Sequence, residues 1–188
     1  TLNLMIGRLV EDGRLDLADK VADHLPEIGS GYAAASLRDV MAMNVAHDFS
    51  EDYGDPAASG FDQEVAMGWR LPGPGQDEFS AREFIRAIAS DDIVNHSGAA
   101  LYKSANSDVL EWVVERVSGR PLRDHLIDIV EAAGLRFEAI ESLGHANHHH
   151  SWHVLGSGDL FTGDAVGMRV PGTDWITVPM PPPEFDPD

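Results

Sequence analysis

The stretch YKSANSDVLEWVVERVSG, Tyr102 to Gly119, carries the most regular pattern in the chain. Val109, Trp112, Val113 and Val117 recur at intervals of three and four, which places them on one face of an α-helix. Ser104 or Ser107 supplies the N-cap, and Gly119 is the stop. A stripe of this kind needs apolar partners, and the spacing predicts a core shared with Leu2, Ile6 and Leu9 of the opening segment.

Working upstream, Leu2, Ile6, Leu9 and Val10 keep helical spacing as far as Gly13, a suitable C-terminal glycine. The segment RLDLADKVADHLPEI (14–28) reads as a short helix or turn that ends at Pro26. Ser36 caps LRDVMAMNV and Ser80 caps AREFIRAIAS. Between them, His47 to Gly75 is rich in Asp, Gly and Pro. It reads as a long irregular excursion, of a length that usually serves function.

Downstream, Pro121 stands at the first position of a helix over LRDHLIDIVEAAG, closed by Gly134. Beyond Gly134 the grammar changes. FEAIES, SWHVLG and DLFTGDA are short, β-prone and punctuated by glycine. The ending VPMPPPEFDPD is proline-rich and acidic, an extended tail. The expectation is an α+β chain: a mainly helical region over 1–134, a β-rich segment over 135–178 and a tail over 179–188.

Composition narrows the function. The absence of cysteine excludes disulfides, thiolate metal sites and a cysteine nucleophile, without settling the compartment. With 32 acidic residues against 13 basic, the chain carries −19, a field that repels nucleic acid and anionic membranes. No apolar run approaches the ~20 residues of a membrane span. A small-molecule partner and a soluble, cytoplasmic setting are favoured over these alternatives.

The segments GRLVEDGRLDLADKVADHLPEI, SLRDVMAMNVAHDFSEDYGDP, AMGWR and YKSANSDVLEWVVERVSGRPL together resemble the serine β-lactamase and penicillin-binding-protein superfamily. Within it the resemblance is to the branch of 6-aminohexanoate-dimer hydrolases and esterases, over residues 1–134. It implies a serine hydrolase of amides or esters that needs no cofactor. In that family a Ser-x-x-Lys supplies nucleophile and base, and a Tyr-x-Asn motif supplies a proton-relaying tyrosine. By that match Tyr102 is the catalytic tyrosine. Tyr53 contacts substrate, and Ser104 stands where many members have a substrate-orienting asparagine.

Two departures follow. No Ser-x-x-Lys occurs in the chain: its two lysines, Lys20 and Lys103, are preceded at three residues by Leu17 and Ala100. A late Lys-Thr-Gly-type strand is missing as well. The resemblance therefore implies an incomplete serine β-lactamase-like domain, catalytically silent as it stands, with an uncovered apolar surface open to self-association.

The last part resembles something else. GHANHHHSWHVLGSGDLFTGDAVG (144–167), followed by PPPEF, is similar to the later part of a metallo-β-lactamase-fold hydrolase. That resemblance implies His145 and Asp164 as zinc ligands, in a metal-dependent hydrolase as an alternative function. The earlier His-x-His-x-Asp-His motif is absent, and two ligands fall short of the three a catalytic zinc site takes from protein. The neighbouring histidines are expected to bind zinc or nickel weakly. A third reading is a non-catalytic acidic domain holding a small ligand.

Overall fold

The helix read from Val109, Trp112 and Val113 forms as α7 (Ala105–Ser118) and ends at Gly119, whose φ of 72° is the left-handed conformation expected of its stop. The structure, a computed structural model, describes residues 2–141 and 150–162 together with the strand segments 168–169 and 176–177. Before α7 come α1 (Leu2–Glu11), α2 (Val21–His24), α3 (Ser30–Ala33), α4 (Leu37–Met41), α5 (Gly60–Ala66) and α6 (Ala81–Ala87). After it come α8 (Leu122–Ala132), β1 (Phe137–Glu141), β2 (His150–Val154), β3 (Leu160–Phe161), β4 (Met168–Arg169) and β5 (Ile176–Thr177). No described helix is long and apolar enough to cross a membrane.

Two compact units divide the chain, Thr1–His125 and Leu126–Asp188. Their boundary falls inside α8, while the change in composition follows Gly134. In the first unit α7 is the common support: α1, α2, α4 and α6 all pack on it, and α5 packs on α6. Trp112 and Val113 are buried, as their spacing predicts, with Ile6 and Leu9 of α1. Leu2 and Val117 are only half-buried, and Met5, Leu110 and Val114 take their share of the core.

Two of the expected serine caps form, at Ser36 and Ser80, whereas at α7 the Ser104 side chain makes no cap. The Ser36 hydroxyl accepts from the Asp39 amide at 3.1 Å. At α6 the Ser80 hydroxyl accepts from the Glu83 amide while the Glu83 carboxylate accepts from the Ser80 amide at 2.8 Å, a reciprocal capping box. The expected excursion over 47–75 is irregular except for α5, whose Gln63 and Val65 are buried. A glycine start and a polar first turn hide that helix from a reading by periodicity.

In the second unit β1, β2 and β3 form an antiparallel sheet in that order, with Ala139 opposite Trp152 and Trp152 opposite Phe161. Strands β4 and β5 form a separate antiparallel pair. Helices followed by a small antiparallel sheet make an α+β chain. The tail over 179–188 lies outside the described residues.

Two glycines show how differently the packing treats one residue type. A Cβ on Gly29 would stand 2.3 Å from the Ile88 carbonyl oxygen and 2.5 Å from that of Arg86, both backbone atoms that cannot swing away. Gly7, inside α1, would meet nothing within 4 Å. Gly29→Ala is therefore expected to destabilise by at least the roughly 1–3 kcal/mol typical of overpacking. Gly7→Ala should stabilise by about 0.5–1 kcal/mol through helix propensity. Urea unfolding of both variants checks the pair, and a loss from Gly7→Ala would contradict the placement of α1.

Candidate active site

Tyr102, Lys103 and Ser104 form the turn that enters α7, and each side chain goes a different way. Ser104 precedes the helix with φ −62° and ψ −33°, already helical, and its side chain makes no cap. Its hydroxyl lies 2.5 Å from Glu51 Oε1 and 2.9 Å from Gln63 Oε1, and its amide donates to Glu51 Oε2 at 2.9 Å. One hydroxyl proton serves one acceptor at a time, and the charged carboxylate outcompetes the neutral amide. Glu51 thus grips Ser104 at two atoms. Gln63 turns its NH2 to Asp108 Oδ2 at 2.8 Å, which ties α5 to the first turn of α7.

This arrangement orients Ser104 rather than activating it. A carboxylate is too weak a base to draw a serine proton, and nucleophilic serines work beside a stronger one. Lys103 is not that base. Its ammonium donates to the carbonyl oxygens of His47, at 3.0 Å, and of Phe49. Burial pushes the Lys103 amine below its usual range, against the opposing pull of Glu51 and Asp48. Burial likewise pushes the Asp108 carboxyl up, with the Gln63 bond working against it and the Glu51 charge adding to it.

Tyr102 and Tyr53 stand in solvent at 73% and 58% exposure. The Tyr53 ring meets Phe61 edge-on at 5.5 Å, and the Arg70 guanidinium lies 4.5 Å from the other ring's centre while reaching Glu64 at 3.4 Å. The Tyr53 hydroxyl is pushed up first by burial, then by the charges of Glu64, Glu51 and Tyr102. The two bonds from Ser104 to Glu51 bring the loop that carries Tyr53 to the turn that carries Tyr102, across half a hundred positions of sequence. What the arrangement offers chemically is two exposed phenols on linked segments and a hydroxyl fixed between Glu51 and Gln63.

A buried layer adjoins the turn, through Asn106 two residues on and through His47, whose carbonyl takes the Lys103 ammonium. Asn106 is fully buried, accepting from the Tyr32 hydroxyl at 2.8 Å and donating to the Val40 carbonyl at 3.0 Å. His47 is buried against Tyr32, ring centres 4.4 Å apart, and its Nδ1 accepts from the Phe49 amide at 3.3 Å. Its Nε2 has no hydrogen-bond partner among the described residues.

The other expected site residues, His145 and Asp164, lie outside the described residues. Of their neighbours, His153 Nδ1 is 3.5 Å from a Glu138 carboxylate oxygen across the sheet. Among the described residues no group of three or more His, Asp or Glu is placed to hold a metal ion. Sequence reasoning missed Glu51, Gln63 and Asp108. Glu51 stands two residues before Tyr53, and that adjacency was the one local signal.

A family model described as Beta-lactamase matches residues 2–135. The chain is similar to the 6-aminohexanoate-dimer hydrolase of Paenarthrobacter ureafaciens, 38% identical over 116 residues, which cover 61% of this chain and 29% of that protein. Its fold resembles the solved structure of a Bacillus anthracis protein provisionally designated a 6-aminohexanoate-dimer hydrolase. The TM-score is 0.50 at 18% identity, over 63% of this chain and 31% of that one. The chain thus spans less than a third of either relative.

The buried His47 predicts a pH dependence. Burial, then the Lys103 charge, lowers its pKa from 6.5 to about 4. Between those values the unfolded chain binds a proton that the folded chain refuses, so stability is full above pH 6.5 and falls as pH drops towards 4. The loss should reach on the order of 3 kcal/mol. Urea unfolding at pH 7, 5.5 and 4.5 reads the slope. His47→Gln should flatten it, which separates His47 from Asp108 and Glu111, whose raised carboxyls act in the opposite sense.

Proposed function

The chain belongs to the beta-lactamase family, and from that premise we propose that it is part of a serine hydrolase of amides or esters, of the 6-aminohexanoate-dimer hydrolase type. In this reading Tyr102 passes the proton between an activated serine and the leaving group. Tyr53 contacts substrate from the facing loop, and Ser104, held by Glu51, orients it. The observation that supports the reading is the double grip of Glu51 on Ser104, which ties the loop bearing Tyr53 to the turn bearing Tyr102.

Serine hydrolases of this fold need no cofactor. A positioned phenol suits the relay because it gives and takes one proton at a fixed point. It has nothing to relay without a nucleophile, and these 188 residues contain no Ser-x-x-Lys. In this reading the serine and its lysine are supplied by sequence other than these 188 residues, and no observation on the described residues favours the metal reading through His145 and Asp164 over this one.

These 188 residues alone are expected to be silent towards a chromogenic short-chain ester. Losing the nucleophile of such a cooperative unit costs on the order of 10⁶-fold in rate, as in serine proteases. Turnover by a longer form that includes a Ser-x-x-Lys, lost in Tyr102→Phe, is the expected result. Turnover by the 188 residues that disappears in Ser104→Ala would overturn the reading, since it would make Ser104 the nucleophile.

A further inference from the structure

A concave feature in the first unit is lined by none of Tyr53, Tyr102 and Ser104. It is a cleft of about 570 Å³ between the loop at Asp48 and Phe49, the start of α5, and α6. That volume is within the range of small-molecule sites, roughly 300–1,000 Å³. One wall is a run of three phenylalanines: Phe49 meets Phe84 edge-on at 5.7 Å, and Phe79 is stacked along Phe84 at 6.4 Å. Three carboxylates line the same cleft, Asp48, Asp62 and Glu83, and no described lysine, arginine or histidine does.

Those carboxylates are anchored rather than loose. Glu83 is held by the capping box at Ser80, Asp62 Oδ1 accepts from the Gln76 amide at 2.9 Å, and Asp48 Oδ1 accepts from the Ser90 hydroxyl at 3.2 Å. The one ammonium nearby, Lys103, lies 5.9 Å from the Phe49 ring centre but is taken up by the backbone carbonyls described above, and it does not line the cleft.

We propose that this cleft binds an amphiphilic organic cation, an alkyl or aryl ammonium whose hydrocarbon lies along the three phenylalanines and whose charged head sits among the three carboxylates. Each part of the lining selects for one half of such a molecule. A bare metal cation would leave the aromatic wall without a partner, and a carboxylate-headed chain would meet three like charges. Phenyl faces attract a cation beyond their apolar area. The inference does not rest on the Tyr102 reading, because none of Tyr53, Tyr102 and Ser104 lines the cleft.

The chain's −19 charge draws every cation weakly, so the test has to separate the cleft from the field. Titration calorimetry of the full 188-residue chain with butyl-, hexyl- and octyltrimethylammonium, at constant salt, does so. Saturable 1:1 binding is expected, tightening about three- to fourfold per buried methylene, while tetramethylammonium binds weakly. Octanoate should not bind. Asp48→Asn with Asp62→Asn should weaken octyltrimethylammonium at least tenfold, and Phe79→Ala, at a half-buried position, should weaken it while circular dichroism stays unchanged. Affinity without chain-length dependence, equal binding of octanoate, or binding unmoved by these variants would overturn the proposal. So would binding abolished by Tyr102→Phe, which would put the cation on the other surface.

Discussion

Asn106 sits at the second position of α7, wholly out of solvent, with both ends of its amide in use. Its oxygen takes the Tyr32 hydroxyl from α3 and its nitrogen gives to the Val40 carbonyl of α4. Apolar packing is non-directional and would tolerate sliding of these helices over α7. A buried amide does not, since each unmet bond costs about 1–3 kcal/mol. The amide therefore sets where α3 and α4 stand relative to the entry of α7. Ser104 is two residues upstream, so the same constraint sets where the Tyr102 turn points.

The charged groups build outward from that core in a consistent way. Two guanidiniums lie near the Trp112 ring centre, Arg82 at 5.3 Å and Arg116 at 5.7 Å. Those arginines go on to Glu115 and to Glu27, the first at 2.5 Å. Exposed ion pairs contribute little by themselves, about 0–1 kcal/mol. Here their stems and planes also close over a buried indole, so the few basic residues of a strongly acidic chain act as much by coverage as by charge.

What could be read from the sequence divides along the range of the interaction. Helices bounded by Ser36, Ser80 and Gly119 announced themselves because a cap and its target are three or four residues apart. The short strands after Gly134 showed through composition. Helix α5 did not, since its stability comes from burying Gln63 and Val65 rather than from propensity. Ser104 was legible as a serine before a helix, yet its hydroxyl found a carboxylate fifty-three positions away, a stronger acceptor than any first-turn amide is a donor. Tyr53 and Tyr102 had no local signature at all. They came from family resemblance, and only the fold shows that they face the same solvent.

The seating of Lys103 has a practical side. Of the chain's two lysines, Lys20 is exposed on the surface, whereas Lys103 is half-buried with its ammonium bonded to two backbone carbonyls. An amine must be free and unprotonated to attack an activated ester, and Lys103 would have to leave both oxygens to do so. Amine-directed dyes, biotin or solid supports will therefore find one reactive side chain, at the start of α2. The fold thereby offers a nearly single-point handle for attachment, on a molecule whose cysteine-free sequence provides no thiol for the purpose.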